Sequence, residues 1–313
     1  MKEMATPIIT IDHKYSLEDL KFVLSIGIRC FRLNPARIGI ENSLQVYSLV
    51  KDIEKDTFFF FDTAGNKQRI KKQYNDKDDF FYVRILNGES RDAYFFISSM
   101  LFKETSKGDI LVLRGNEKIE LLVEEKNGTV ITARFILPQR YEVKDRTHVY
   151  IKNKYMPCEH LNQIDKNIIE TFKEKGTICL SFADSPAIAR EARDMIGKSQ
   201  LFAKIESPVG MKNALDILEH VDGIVVGRDD LTAFYTPSEI HRITQHLINL
   251  CYEYNKISVP ASNYFLSLLT AGTLNEEDRG KLRDVMYCSN YIYINETVMN
   301  KEHGFIKQVI NNF

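Results

Sequence analysis

LFAKIESPVGMKNALDILEHVDGIVVGRDDL, residues 201–231, sets two short apolar runs on either side of an amphipathic segment. LFAKI (201–205) and GIVVG (223–227) are apolar without alternation, as expected for parallel strands buried on both faces. Residues 210–219 between them carry helical spacing, so the stretch reads as strand, helix, strand.

The same alternation repeats on both sides. Toward the N-terminus it runs through PIITI (7–11), SLEDLKFVLSIG (16–27), RCFRL (29–33), ENSLQVYSLVKDIEK (41–55) and TFFFFD (57–62). Ser16 and Asp19 precede the apolar repeat of Leu20, Val23 and Leu24 as a capping box with Asp in the acidic position, and Gly27 ends that helix. Around the central unit come a helix over 162–174, TICLSF (177–182) and a helix over 185–196. A helix over 237–254, ISVPA (257–261), helical segments through 286, YIYIN (291–295) and a last helix to about 311 follow it. Eight strands joined by helices make a closed (β/α)8 TIM barrel. The open doubly wound sheet is disfavoured because no G-x-G-x-x-G follows the first strand.

Residues 67–157 interrupt this order after strand 3. FFYVRI, ILVLR, KIELLV and TVITARFIL read as strands, with Asn127-Gly128 as a hairpin turn. YFFISSMLF (94–102) fits a strand or a short helix equally, and the charged run KKQYNDKDD reads as a solvated linker or strand edge. The expected division is therefore a barrel from 1–66 and 158–313 and a small β-rich insert from 67–157.

Composition narrows the class of function. The chain has 313 residues, with 42 Lys and Arg against 43 Asp and Glu, a formal net charge of -1. That balance leaves no overall electrostatic footprint for nucleic acid or an anionic membrane and favours a small-molecule ligand. Five scattered cysteines without a CxxC pair read as buried thiols in a reducing compartment. The N-terminus lacks the apolar core of a signal peptide and no apolar run approaches the length of a membrane span, so a cytoplasmic location is expected. The sequons at Asn127 and Asn295 are then chance matches. His241 and His246 lack a supporting cluster and read as surface or interface residues.

In a (β/α)8 barrel the reactive side chains stand at the C-terminal ends of the strands. Those ends carry Arg32-Leu33-Asn34, Asp62-Thr63, Ser181, Lys204-Ile205-Glu206, Arg228-Asp229-Asp230 and Ala261-Ser262-Asn263. Lys204 and Glu206 are two apart on one strand and face the same way, toward the barrel axis or mouth. Buried charges of this kind need partners or a ligand. Glu206 and Asp230 from neighbouring strands can offer carboxylate oxygens to Mg2+, with waters and substrate oxygens completing its shell, while Lys204 and Arg32 face an anionic substrate. A structural salt-bridge network capping the barrel is the alternative for these residues. Asp62-Thr63 reads equally as a turn cap and as a ligand pair.

The 201–231 segment resembles the part of pyruvate kinase that carries the catalytic lysine and both metal-binding carboxylates. Weaker likenesses follow in the same order over residues 7–300: FRLNPARIG, DTAGNKQRI, GDILVL, TICLSFADSPAIAREARDMIG, ISVPASNYFLSLL and YIYINET. The insert falls where that family carries its mobile lid. The resemblance implies phosphoryl transfer between phosphoenolpyruvate and ADP, giving pyruvate and ATP, in a soluble glycolytic enzyme able to form a homo-oligomer. It implies that Lys204 stabilises the transferring phosphoryl group, that Glu206 and Asp230 hold Mg2+ or Mn2+, and that Arg32 and Arg69 contact phosphate. It further implies K+ at Asn34, Asp62 and Thr63, Ser181 and Ser262 near the enolate, and Lys152 at the nucleotide.

The pattern departs from that family at several points. Ala36 and Arg37 stand for its serine and histidine, Thr10-Ile11-Asp12-His13 for its glycine-proline turn beside the nucleotide, Ser262 for a threonine, and Asp229 for the glycine that helps hold the substrate carboxylate. The chain stops after the last barrel helix, so the family's C-terminal effector-binding domain is expected to be absent. These departures keep open a metal-dependent lyase or aldolase acting through a pyruvate enolate, and a catalytically inactive binding protein.

Overall fold

Eight of the apolar runs close on themselves. The computed structural model describes residues 4–72, 80–86, 93–114, 118–137, 144–157, 159–261, 264 and 275–294. Two compact units divide the chain, one of Met1–Asn66 with Pro157–Phe313 and one of Lys67–Met156.

In the first unit, strands β1 (Thr6–Thr10), β2 (Cys30–Leu33) and β3 (Phe58–Asp62) precede the insert. The six strands of the insert are β4 (Phe80–Leu86), β5 (Ala93–Ser98), β6 (Ile110–Arg114), β7 (Lys118–Asn127), β8 (Val130–Phe135) and β9 (His148–Ile151). The barrel resumes with β10 (Thr177–Leu180), β11 (Leu201–Ile205), β12 (Gly223–Gly227), β13 (Ile257–Ala261) and β14 (Tyr291–Ile294). Around the barrel the order is β1-β2-β3-β10-β11-β12-β13-β14 and back to β1, all parallel.

Side-chain alternation along these strands sorts the core into two layers. Ile8, Cys30, Phe60, Cys179, Phe202, Val225, Val259, Ala261 and Tyr293 pack together as one buried cluster. Their strand neighbours, among them Ile9, Phe31, Phe59, Phe61, Ile178, Ala203 and Val226, join a second cluster with the helices. Phe61 stacks on Phe172 of the helix Gln163–Phe172 at 4.3 Å between ring centroids. Both faces of β3 are thus apolar, which is why FFFF shows no alternation.

Local signals agree with the elements they predict. Ser16 and Asp19 form both bonds of a capping box on the helix Leu17–Ser25, and Gly27 beyond it has φ +90°. The segment predicted as one helix over 210–219 is broken at Asn213 into Pro208–Lys212 and Ala214–Leu218. Asn213 leaves helical geometry there, and its side-chain amide donates to the Asp184 carbonyl at 2.7 Å. Cys30, Cys179 and Cys251 are buried as expected, but Cys288 is exposed, two residues past the end of the helix Glu276–Met286; Cys158 lies outside the described residues. No helix among the described residues is long and apolar enough to cross a membrane.

The second unit is a sheet in the order β5-β4-β8-β7-β6-β9, antiparallel except for β4 with β8. Gly128, at φ +56°, and Thr129 make the β7–β8 turn, one residue beyond the expected Asn127-Gly128 pair, because Asn127 is the last residue of β7 and pairs with Val130. YFFISSMLF resolves into both of its readings: β5 ends at Ser98, whose hydroxyl accepts from the Leu101 N–H and starts the helix Ser99–Glu104. The segment around residue 70 bridges to both sheet edges, Arg69 with His148 and Lys71 with Phe96, so the sheet curls closed. Lys71 and Lys72 are the described start of the charged run; the rest of it, residues 73–79, lies outside the described residues.

Candidate functional site

The two-residue period that buries Cys30, Phe60, Cys179 and Phe202 also turns Arg32, Asp62, Ser181 and Lys204 inward, one step nearer the C-terminal ends of their strands. These four residues meet. The Lys204 ammonium donates to Asp62 Oδ2 at 2.8 Å and to Ser181 Oγ at 3.3 Å, and lies 3.1 Å from Glu206 Oε1. Arg32 grips the same Asp62 oxygen through Nε at 3.1 Å and Nη2 at 2.6 Å, and its Nη1 donates to Thr10 Oγ1 at 3.0 Å. A guanidinium has five N–H donors. Three are used here, and its side chain keeps 16% of its surface exposed.

Burial alone would raise the Asp62 carboxyl, but Arg32 and Lys204 outweigh it and hold the group below the ordinary carboxylate range. Burial likewise works against the Lys204 charge; Asp62 and Glu206 reverse this and push its pKa above the usual value. Both groups are therefore charged at neutral pH. The second Asp62 oxygen, Oδ1, is buried without a hydrogen-bond partner among the described residues. An orphaned carboxylate oxygen beside two engaged cations is costly unless something else reaches it.

Glu206 is fixed from two sides. Its Oε2 accepts from the Phe182 N–H at 2.9 Å, and Phe182 adopts φ +50° to present that donor, a left-handed conformation unfavourable for a bulky residue. Gly227, at the end of the neighbouring strand, leaves the space that the Glu206 side chain fills: a Cβ there would stand 2.2 Å from Glu206 Cγ. Asp230 is buried on the short helix Arg228–Leu231 that follows β12, and Asp229 beside it is partly exposed. The Arg228 guanidinium lies 4.0 Å from the centroid of the Tyr264 ring.

The β3 and β10 ends are tied together. Thr63 Oγ1 accepts from the Ser181 N–H at 2.9 Å, and Ser181 Oγ donates to the Thr63 carbonyl at 2.8 Å. Asn34 caps the helix Pro35–Ile38 by accepting from the Arg37 N–H at 3.1 Å, with Ala36 partly buried and Arg37 exposed. Arg69 and Lys152 belong to the second unit, where Arg69 donates to the Arg146 carbonyl at 2.9 Å and Lys152 pairs with Glu120 at 3.0 Å. Ser262 and Asn263 lie outside the described residues. His241 stands 3.8 Å from Asp284.

Three residues of this arrangement escaped the strand-end rule. Thr10 holds Arg32; Tyr293 lays its ring 5.3 Å from the Arg32 guanidinium carbon; and Cys179 meets the Tyr293 hydroxyl at 3.2 Å. Burial raises the Cys179 thiol to about 12, so it is a packing and hydrogen-bonding group at neutral pH and not a nucleophile. Counting back two residues from Ser181 would have found Cys179; the other two contacts need the closed barrel.

The family model for the pyruvate kinase barrel domain matches residues 8–286. The chain belongs to the pyruvate kinase family. Pyruvate kinase of Aeropyrum pernix is 25% identical over 265 residues, covering 79% of this chain and 56% of that protein. Pyruvate kinases of Thermotoga maritima and Clostridium perfringens are 23% and 24% identical, each covering 81% of this chain and 57% of the relative. The chain thus spans little more than half the length of these relatives. Within the pyruvate kinase family, the Arg32, Asp62, Ser181, Lys204 and Glu206 cluster of this member occupies the C-terminal strand ends of a barrel of the family's own fold.

Proposed function

We propose that this chain transfers a phosphoryl group between phosphoenolpyruvate and ADP, giving pyruvate and ATP, with Mg2+ or Mn2+ and K+ as its cations. The observation that carries this reading is the buried Lys204 ammonium, kept charged between Asp62 and Glu206 at the mouth of a pyruvate kinase-family barrel. Phosphoryl transfer asks little covalent work of a protein; it needs placed positive charge and exclusion of water.

The chain's own residues meet those needs. Arg32 is held by Asp62, Thr10 and the Tyr293 ring, and two of its N–H donors have no partner among the described residues and would be available to a phosphate or carboxylate. Lys204 sits two residues above Phe202, and the buried Phe202, Cys179 and Tyr293 close the barrel beneath the charged layer. Water therefore reaches the reacting group only from the mouth. Ser181, which accepts from Lys204, would face the enolate, and the backbone at Asp229 the substrate carboxylate.

The donor set fits the cations. Among the described residues no three or more His, Cys, Asp or Glu side chains form a metal-holding group, so a divalent ion would rest on Glu206 and Asp230 with substrate and water oxygens completing its shell. When bound it neutralises charge on the phosphoryl oxygens. The orphaned Asp62 Oδ1 would serve a monovalent cation, the ion that the family resemblance assigns to Asn34, Asp62 and Thr63.

A second reading, a metal-dependent lyase acting through a pyruvate enolate, is favoured by one feature. Asp12, buried after β1, accepts from the Lys14 N–H at 2.8 Å where the family carries its nucleotide-side turn. Pyruvate formation from phosphoenolpyruvate with Mg2+ and K+ separates the two, run with ADP, with other nucleoside diphosphates and with none. Pyruvate that appears only with a diphosphate, in step with the triphosphate, supports the kinase. Metal-dependent binding of phosphoenolpyruvate or pyruvate without triphosphate overturns it in favour of the lyase or a binding protein.

A further inference from the structure

We infer that Asp165, on the helix Gln163–Phe172 outside the strand wall, is a positioning residue that sets Lys204 through the turn after β3 and the end of β10. The inference rests on the phosphoryl-transfer reading of the same site.

Two helices of this chain show what an acidic third residue ordinarily does. In the capping boxes of Ser16 with Asp19 and Thr236 with Glu239, the carboxylate returns to the backbone N–H of its own cap residue. The helix Gln163–Phe172 starts in the same way, with the Asn162 side chain accepting from the Asp165 N–H at 2.9 Å. Its carboxylate does something else. Asp165 Oδ1 accepts from the Ala64 N–H at 2.6 Å and the Gly65 N–H at 3.1 Å, about a hundred residues away in sequence. The Thr63 hydroxyl donates to the same carboxylate. Asn162 completes the clamp by donating to the Gly65 carbonyl at 3.2 Å.

The turn needs an outside acceptor because it has no room for one of its own. Gly65 has φ +62°, and a Cβ on it would fall 2.6 Å from the Ser181 carbonyl, so this backbone lies directly on the end of β10. Asp165 is 1% exposed, which keeps water from taking its place. From Thr63 the connection continues inward: its hydroxyl, while donating to Asp165, accepts from the Ser181 N–H, and its carbonyl accepts from Ser181 Oγ. Ser181 Oγ then accepts from Lys204. A carboxylate on the outer helix thus orients, in two hydrogen-bonded steps, the hydroxyl that the Lys204 ammonium leans on.

The test compares the wild-type chain with Asp165→Ala and Asp165→Asn. Amide hydrogen exchange at Ala64, Gly65 and Ser181 should quicken by about tenfold or more in Asp165→Ala at matched global stability. In Asp165→Asn, which keeps an acceptor oxygen, it should quicken much less. The kcat for phosphoryl transfer should fall by about tenfold or more in Asp165→Ala, with KM for phosphoenolpyruvate changed by less than about threefold, and Asp165→Asn should restore most of it. Faster exchange at Ala64 and Gly65 with Ser181 unmoved would overturn the inference, as would an unchanged kcat. If the wild type transfers no phosphoryl group, the functional reading fails, and the exchange at Ser181 still decides the coupling. If Asp165→Ala does not fold, Asp165→Asn carries the test: normal exchange at Ser181 together with lost turnover would overturn it.

Discussion

Replacing Gly227 by alanine should destabilise this protein, although the backbone there suits alanine. Gly227 has φ -81° and ψ 69°, outside the left-handed region. At such a position Gly→Ala commonly stabilises by about 0.4–1 kcal/mol, through lost entropy of the unfolded chain. The added Cβ would stand 2.2 Å from Glu206 Cγ, 2.9 Å from Oε1 and 3.0 Å from Cδ. Carbon atoms in contact prefer roughly 3.5–4.0 Å, so the Glu206 side chain must move by more than about 1 Å. Its bonds to the Phe182 N–H and to Lys204 cannot both survive that shift. A hydrogen bond to a charged group is worth about 1.5–3 kcal/mol and overpacking costs about 1–3 kcal/mol, which leaves a net loss of about 2–5 kcal/mol after the entropic gain. Urea unfolding of four proteins reads the effect: wild type, Gly227→Ala, Glu206→Ala and the double variant. With Glu206 cut back to its Cβ the clashing atoms are gone, so the Gly227→Ala change should then be neutral within about 0.5 kcal/mol or stabilising. An equal cost in both backgrounds, or stabilisation in the wild-type one, would refute the assignment of Gly227 as the space that Glu206 occupies.

Lys204→Met removes the cation shared by Asp62 and Glu206 and should cost about 3–5 kcal/mol in urea unfolding, because it strands buried carboxylates. Phosphoryl transfer should vanish while the far-ultraviolet circular dichroism stays that of a folded barrel, and retained turnover would remove Lys204 from the reaction. The pH dependence of stability follows from the two shifts. Asp62, held low, contributes stability above its unfolded pKa of about 3.9 and loses it as the pH falls through the lower folded value. Lys204, pushed up, contributes stability below about 10.4 and loses it as the pH rises through the folded value. The urea midpoint should therefore fall on both sides of a broad plateau, with a shallower alkaline limb in Lys204→Met; an identical alkaline limb would contradict the charged state assigned here. In the insert, Lys126 donates to the carbonyls of Phe102, Lys103 and Thr105 at the end of the helix Ser99–Glu104 and lies 4.4 Å from the Phe102 ring centroid. Lys126→Met should cost about 1–2 kcal/mol and speed amide exchange at residues 102–105, and unchanged exchange would show the cap to be idle.

Much of this molecule was legible in one dimension because its determinants are local or periodic. The apolar runs LFAKI, GIVV and FFFF, buried on both faces except at the exposed Phe58, announce parallel strands, and the spacing of Lys204 and Glu206 places both on one face before any contact is known. Ser16 with Asp19 and Asn127 with Gly128 specify a helix start and a hairpin over a few residues, where short-range hydrogen bonding decides the outcome. YFFISSMLF stayed ambiguous because strand and helix propensities balance across it, and the Ser98 cap divides it between them.

Tertiary structure alone decided which charges meet. Arg32, Asp62 and Lys204 come from β2, β3 and β11, and no spacing predicts that one Asp62 oxygen takes both cations while the other takes none. The same holds for Tyr293 against Arg32, for Gly227 making room for Glu206, and for Asp165 reaching the turn after β3. Periodicity tells a residue which face to take; closure of the barrel sets which other faces it will find there. That closure joins residues more than a hundred positions apart, and their pairing energies depend on distances and burial that a linear pattern does not contain.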